Sequence, residues 1–144
     1  MKTGGRPAQS FVVKAATGPV REGSGLAGAG FAGDVFGDGA AGTGATPVQM
    51  LALSLAGCMA IDLVHILTRG RHPVASLSAE IRSERAVHDP KRFTRVYLDF
   101  TLTGGMLPEH VERAIDLSRE KYCSIWATLR QDIELVVAYT ITGR

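Results

Sequence analysis

The longest apolar segment of the chain predicts one long buried helix near its middle. We expect this helix to run from Pro47 to about Arg69. Its apolar residues cover nearly every face: Met50, Leu51, Leu53, Leu55, Met59, Ile61, Leu63, Val64, Ile66 and Leu67. A helix that is apolar all round is buried inside a domain or between subunits. Asp62 and His65 interrupt the run, which favours a core helix over a membrane span.

The residues at both ends of this segment support its bounds. Thr46 can serve as the N-cap, Pro47 suits the first helical position, and Gln49 completes a capping box. Arg69 places a cation at the C-terminal end, and Gly70 is a residue type that commonly follows a helix. Gln49 is therefore interpreted as a structural residue of the helix start.

Two later segments, 74–84 and 95–103, alternate between apolar and polar residues. Such alternation is typical of strands with one buried face. Asp89-Pro90-Lys91 lies between the two segments and has the composition of a turn. The sequence therefore predicts a β-hairpin.

A second helix and a closing strand are predicted after the hairpin. Pro108 begins the helix, and Cys123 falls near its end. Ser124 could cap a short turn that continues through Leu129. Residues 133–141 are rich in β-branched residues and predict the strand.

The N-terminal third has a different character. Residues 10–17 predict a strand, whereas residues 22–45 contain nine glycines, which indicates loops or weak strands. The order of elements predicts a single domain over 1–144, of the α+β class, with a largely antiparallel sheet packed on a long central helix.

Composition and charge argue against several classes of function. The net charge is +2 with both signs interleaved, which gives no reason to expect nucleic acid or an anionic membrane as a partner. The first residues lack the apolar run of a signal peptide, so a cytoplasmic location is expected.

Two features of the sequence could suggest a cofactor or a metal, but neither has the context that such a site requires. The stretch from Gly28 to Gly33 spells G-x-G-x-x-G, but no convincing strand precedes it and glycines follow where a helix should begin. We therefore expect no dinucleotide cofactor. The four histidines and two cysteines lack metal-ligand spacing, so no metal is expected either.

Cys58 and Cys123 are the only cysteines, and they fall in the two predicted helices. A buried thiol is usually inert, whereas two thiols that meet in space can carry out peroxide chemistry. Asp62 lies four residues after Cys58, and His65 three residues after Asp62. This pair could reach the surroundings of the thiol, or it could be a buried polar pair or a subunit contact.

Three stretches resemble the OsmC/Ohr family: Gly42-Thr-Gly-Ala-Thr-Pro47, then Ala52-Leu-Ser-Leu-Ala-Gly-Cys-Met-Ala-Ile-Asp62, then Glu120-Lys-Tyr-Cys-Ser124. The resemblance covers roughly residues 42–141. It implies an OsmC-like fold in an intertwined homodimer, with the central helices packed between sheets. It also implies thiol-dependent reduction of organic hydroperoxides.

In the chemistry that this resemblance implies, the Cys58 thiolate attacks the O–O bond and becomes a sulfenic acid. Cys123 then condenses with it to form a disulfide, which an external dithiol reduces. Trp126 and Tyr122 are expected to pack in the core or to line the pocket for an apolar peroxide.

The chain departs from the family at the group that activates the nucleophile. The resemblance implies an N-terminal arginine held by a carboxylate at the start of the central helix. Arg21 is the best match for this arginine, and Arg6 is a poorer one. The two candidate positions for the acid hold Val48 and Gln49, neither of which is a carboxylate.

Two hypotheses of different class therefore remain. The first is a peroxidase that acts through Cys58, Cys123 and Arg21. The alternative is a non-peroxidatic OsmC-like dimer that acts as a small-ligand-binding or interaction protein. Retention of both cysteines favours the first, and loss of the helix-start acid favours the second.

Overall fold

The computed structural model describes residues 9–15, 31–34 and 47–143. Within these ranges the chain forms five strands, three α-helices and one π-helical turn. Their bounds are β1 Gln9–Ala15, β2 Phe31–Asp34, α1 Pro47–Arg69, β3 Val74–Arg85, β4 Phe93–Gly104, α2 Pro108–Leu117, the π-helical turn Ser118–Tyr122, α3 Ser124–Thr128 and β5 Glu134–Thr142.

The strands form one sheet in the order β2-β1-β3-β4-β5. The first three pairs are antiparallel, and β4 pairs with β5 in parallel. The parallel pair follows from the connection, because α2 and α3 carry the chain from the end of β4 back to its beginning. The prediction of an α+β fold with a largely antiparallel sheet on a long helix is confirmed.

The predicted elements match the structure closely. Helix α1 has the predicted bounds, and α2 begins at Pro108 as expected. The predicted hairpin is β3–β4, with Ile81 opposite Leu98 and Ala79 opposite Phe100. One strand, β2, falls within the glycine-rich segment; the rest of that segment and Thr46 lie outside the described residues.

The core lies between α1 and one face of the sheet. Fully buried apolar side chains come from α1, from β3 and from β4: Leu55, Met59, Leu63, Leu67, Ile81, Val96, Leu98, Phe100 and Leu102. Alternation along β3 and β4 places these strand residues on the same face. Burial on this scale is the main stabilising contribution to the fold.

By length and composition alone, α1 could cross a membrane, and it is the one such helix among the described residues. However, 56% of its apolar window is buried inside the protein. That burial is what a core helix requires, and it agrees with the sequence-based interpretation.

Among the residues that the structure describes, part of one face of α1 carries exposed apolar side chains. Met50 is 57% exposed and Leu51 is 40% exposed, and both are large apolar residues. Cys58 and Asp62 follow on the same face at helical spacing and are half-buried. The Cys58 thiol therefore lies on the face of the central helix that the sheet does not cover.

A glycine at the end of β4 sets the direction in which the chain enters α2. Gly104 has a φ of 150°, and a Cβ there would overlap with the carbonyl oxygen of Pro73. No side chain fits this position without moving the backbone of Pro73. Gly105 follows it in open space, where an added Cβ would meet nothing within 4 Å.

We predict that Gly104→Ala destabilises the fold by about 1–3 kcal/mol, because it adds both a steric clash and an unfavourable φ. Gly105→Ala is the matched control and should change stability by no more than about 0.5 kcal/mol. The measurement is the free energy of unfolding in denaturant. Equal effects of the two substitutions would contradict this account of the β4–α2 junction.

Candidate functional site

Two cysteines and one carboxylate converge beside the middle of α1. The sulfur atoms of Cys58 and Cys123 and a carboxylate oxygen of Asp62 all lie within 4.8 Å of one another. Both thiols are free. The two thiols that lie 65 residues apart in the sequence are therefore neighbours in the fold, which the hypothesis of a reactive pair requires.

The two thiols differ in exposure. Cys58 is half-buried on the open face of α1, whereas Cys123 is 2% exposed. A molecule that approaches α1 can therefore reach Cys58 but not Cys123. The pair has one accessible sulfur and one sulfur behind it.

A π-helical turn brings Cys123 to this place. The backbone N–H of Cys123 donates to the carbonyl oxygen of Ser118 at 2.7 Å, which closes the wide turn at the end of α2. Single π-helical turns of this kind frequently occur at functional sites. The turn ends the helix at Cys123, where the backbone becomes extended.

Cys123 also begins the next helix. Its sulfur accepts a hydrogen bond from the backbone N–H of Trp126 at 3.4 Å, and Cys123 is the N-cap of α3. The prediction that Ser124 caps this turn is wrong, because the chain leaves the π-helical turn one residue earlier and Ser124 is already helical. The cap holds the sulfur of Cys123 in a defined position.

Ser118 links the π-helical turn to α1. Its hydroxyl group donates to a carboxylate oxygen of Asp62 at 2.8 Å, and its side chain is fully buried. Burial raises the pKa of Asp62, while the hydrogen bond from Ser118 and the charge of His65 oppose the rise. Sequence reasoning missed Ser118, because no spacing motif connects it to Asp62.

Burial raises the pKa of the Cys123 thiol to about 12, and the hydrogen bond from Trp126 opposes that rise. The neighbouring Cys58 and Asp62 raise it further. None of the groups that shift this pKa, within the part of the chain that the structure describes, is a cation. Cys123 is therefore a protonated thiol at neutral pH.

The structure describes only some of the remaining predicted site residues. Arg21 and Arg6 lie outside the described residues, so their relation to Cys58 stays a prediction. Gln49 is 4% exposed in the first turn of α1, and Val48 beside it packs against the core. A buried amide there agrees with the structural role expected of Gln49.

A cavity of about 250 Å³ opens next to Asp62. Six residues line it: Asp62, His65, Ile66, Arg69, Leu117 and Tyr122. Of the two roles expected for these aromatic residues, Tyr122 lines the cavity and is half exposed, whereas Trp126 is buried in the core. The Asp–His pair thus forms part of the cavity wall, with Asp62 also in contact with the π-helical turn.

The fold and the paired thiols define a dithiol protein of the α+β class, and comparison with known proteins identifies its family. The family model of the OsmC-like protein matches residues 37–138. The chain is similar to protein YhfA of Escherichia coli K12, with 37% identity over 99 residues that cover 68% of this chain and 74% of YhfA. The chain therefore belongs to the OsmC-like protein family.

Solved structures agree with this assignment. A hypothetical protein from Aquifex aeolicus superposes with a TM-score of 0.67 at 25% identity, covering 81% of this chain and 83% of that one. An organic hydroperoxide resistance protein OsmC from Legionella pneumophila superposes with a TM-score of 0.58 at 18% identity, covering 71% and 74%. The second likeness establishes a shared fold only.

We predict that Ser118→Ala lowers the free energy of unfolding by about 1–2 kcal/mol, because it removes the donor to a partly buried carboxylate. It should also raise the pKa of Asp62, since the hydrogen bond from Ser118 lowers that pKa. Denaturant unfolding measures the first effect. Ser124→Ala, six residues away and exposed, is the control and should change stability by no more than about 0.5 kcal/mol. A loss no larger than the control's would mean that the hydrogen bond does not anchor the turn.

Proposed function

We propose that this protein is a thiol-dependent peroxidase that reduces organic hydroperoxides through Cys58 and Cys123. The observation that carries the proposal is the contact of an accessible sulfur with a buried one across α1 and the π-helical turn. The family includes proteins named for organic hydroperoxide resistance. Their name supports the choice of substrate class.

The exposure of the two thiols assigns their roles in this proposal. Cys58 as thiolate attacks the terminal oxygen of the hydroperoxide, the O–O bond breaks, and the alcohol leaves with a proton. Cys58 becomes a sulfenic acid, and its sulfur has thereby lost two electrons to the hydroperoxide. Cys123 is too buried to meet the hydroperoxide first and acts on the sulfenic acid afterwards.

The second step joins the two sulfurs. Cys123 attacks the Cys58 sulfenic acid, water leaves, and a disulfide forms. Because the thiol of Cys123 is protonated, the step needs a group that takes its proton. Asp62 is in reach of both sulfurs, and its raised pKa makes it a better proton acceptor than an ordinary carboxylate. An external dithiol then reduces the disulfide and restores both thiols.

The cavity beside Asp62 is the proposed entry for the substrate. Ile66, Leu117 and the ring of Tyr122 offer apolar surface for the organic part of a hydroperoxide. The polar groups of Asp62, His65 and Arg69 share the same cavity. This arrangement favours a substrate with an alkyl part over hydrogen peroxide.

The proposal includes a reducing compartment and a homodimer. The proposed reaction needs both thiols to be reduced between turnovers, so the proposal includes a cytoplasmic location, where thiols are kept reduced. The exposed apolar face of α1 supports a second subunit packed against it. Arg21 is retained as the proposed cation that activates Cys58.

A second candidate function is a non-peroxidatic OsmC-like dimer that binds a small ligand or another protein. Gln49 and Val48 favour it, since neither can hold an arginine as a carboxylate does. In this case the cavity would bind a ligand and the thiols would not turn over.

We predict that one equivalent of an organic hydroperoxide converts both thiols of the reduced protein to an intrachain Cys58–Cys123 disulfide. Cys58→Ser should abolish turnover, because no accessible sulfur remains. Cys123→Ser should consume one equivalent to give the Cys58 sulfenic acid, which a second equivalent of hydroperoxide oxidises to the sulfinic acid. Intact-mass measurement and peptide mapping distinguish these products. Two unchanged thiols after prolonged exposure would refute the peroxidase and favour the binding protein.

We predict an obligate homodimer whose interface includes Met50 and Leu51. Met50→Lys should shift sedimentation at micromolar concentration toward the 15.3 kDa chain, because a charge would be buried in an apolar contact. Val87→Lys is the control, since Val87 is 64% exposed in the loop between β3 and β4 and does not belong to α1. A stable, folded wild-type monomer would contradict the prediction.

A further inference from the structure

The three atoms that converge at α1 are all potential metal ligands. The two sulfurs and the Asp62 oxygen are mutually within 4.8 Å. Around a tetrahedral zinc ion, bond lengths of about 2.3 Å to sulfur and about 2.1 Å to oxygen place neighbouring ligand atoms roughly 3.4–3.8 Å apart. Small side-chain movements would therefore bring all three atoms into coordination.

The scaffold holds each of these groups. Cys58 and Asp62 are four residues apart on α1, so both project from one face of a rigid helix. Cys123 is fixed by the π-helical turn and by its hydrogen bond from Trp126. Ser118 orients the carboxylate of Asp62 through one oxygen, as groups around metal ligands commonly do.

The ligand types select the metal. Thiolates bind zinc, cadmium and copper(I) in preference to magnesium or calcium, and a carboxylate suits a divalent ion of borderline softness. Three protein ligands leave the fourth tetrahedral position open, as in zinc sites that bind an exchangeable molecule. Cys58 is half-buried, and the cavity lined by Asp62 lies beside the three ligands, which gives a small molecule a route to that position.

We propose that Cys58, Asp62 and Cys123 form a binding site for one zinc ion per chain, with its fourth position open to an exchangeable ligand. Binding replaces the two thiol protons by the metal, so that two protons are released to solvent. No electrons are transferred. The spacing of the cysteines along the sequence does not indicate this site, because its ligands come from α1 and from the turn after α2.

The proposed site uses the same sulfurs as the proposed disulfide, so the two states exclude each other. A bound zinc ion holds both sulfurs in metal bonds and withholds them from hydroperoxide. The disulfide in turn removes two of the three ligands. The zinc site does not depend on the peroxidase reaction, because it needs only reduced thiols.

A pair of stacked histidines outside the proposed site offers the control. The rings of His72 and His110 stack with centroids 3.5 Å apart, and the Nδ1 atom of His110 accepts from the Leu107 N–H. Zinc held by this stacked pair would lie at the junction between the end of α1 and the start of α2. His72→Ala removes one ring of the pair and leaves the three proposed ligands intact.

The test is a zinc titration of the reduced, full-length protein against a chromophoric chelator, without hydroperoxide. We expect one zinc ion per chain, displaced by cadmium with the ultraviolet absorption of cadmium–sulfur bonds, and unaffected by excess magnesium. Cys58→Ser and Cys123→Ser should each weaken binding at least tenfold, and Asp62→Asn about tenfold. His72→Ala should leave the affinity unchanged. Loss of binding in His72→Ala, or full binding in Cys58→Ser, would overturn the proposal.

A measurement on the wild-type protein covers the case in which a variant fails to fold. Zinc should slow the alkylation of both cysteines at least tenfold, and a chelator should restore the rate. Unprotected cysteines at saturating zinc would overturn the site. A protein that binds zinc in this way but is not oxidised by hydroperoxide would keep the site and lose the peroxidase, so the two proposals fail separately.

Discussion

The packing of the π-helical turn against the middle of α1 is the contact on which the whole site depends. It joins two distant parts of the chain through a partly buried hydrogen bond, from Ser118 to Asp62. The same contact places Cys123 behind Cys58. Without the wide turn, Cys123 would continue as part of α2 and its sulfur would lie elsewhere, because an α-helical and a π-helical turn differ in where the next residue points.

The elements that the sequence predicted are those governed by local periodicity. The apolar run of α1 and the alternation along β3 and β4 each repeat one pattern over many residues, and both appear in the structure with nearly the expected bounds. The parallel pairing of β5 with β4 and the cap at Cys123 did not follow from such patterns. Both depend on how α2 and α3 pack, which no local period encodes.

The candidate site was predicted in part, for a similar reason. The two cysteines carried a recognisable context, and the fold brings them together. Ser118 and the stacked pair of His72 and His110 carried no sequence signal, since each matters only through a partner from another element. Asp62 was visible as a helical neighbour of Cys58, but its contact with the π-helical turn required the tertiary structure.

The central claim is that Cys58 and Cys123 react as one unit, with Cys58 first. Trp126 is the only tryptophan, and its backbone N–H donates to the sulfur of Cys123. We therefore expect a reaction at that sulfur to change the surroundings of the indole and its fluorescence. The direct measurement is the time course of Trp126 fluorescence after rapid mixing with an organic hydroperoxide. The account predicts a change that accompanies disulfide formation, requires hydroperoxide, and disappears in both Cys58→Ser and Cys123→Ser. A change that persists in Cys58→Ser, or no change in the wild type while hydroperoxide is consumed, would contradict it.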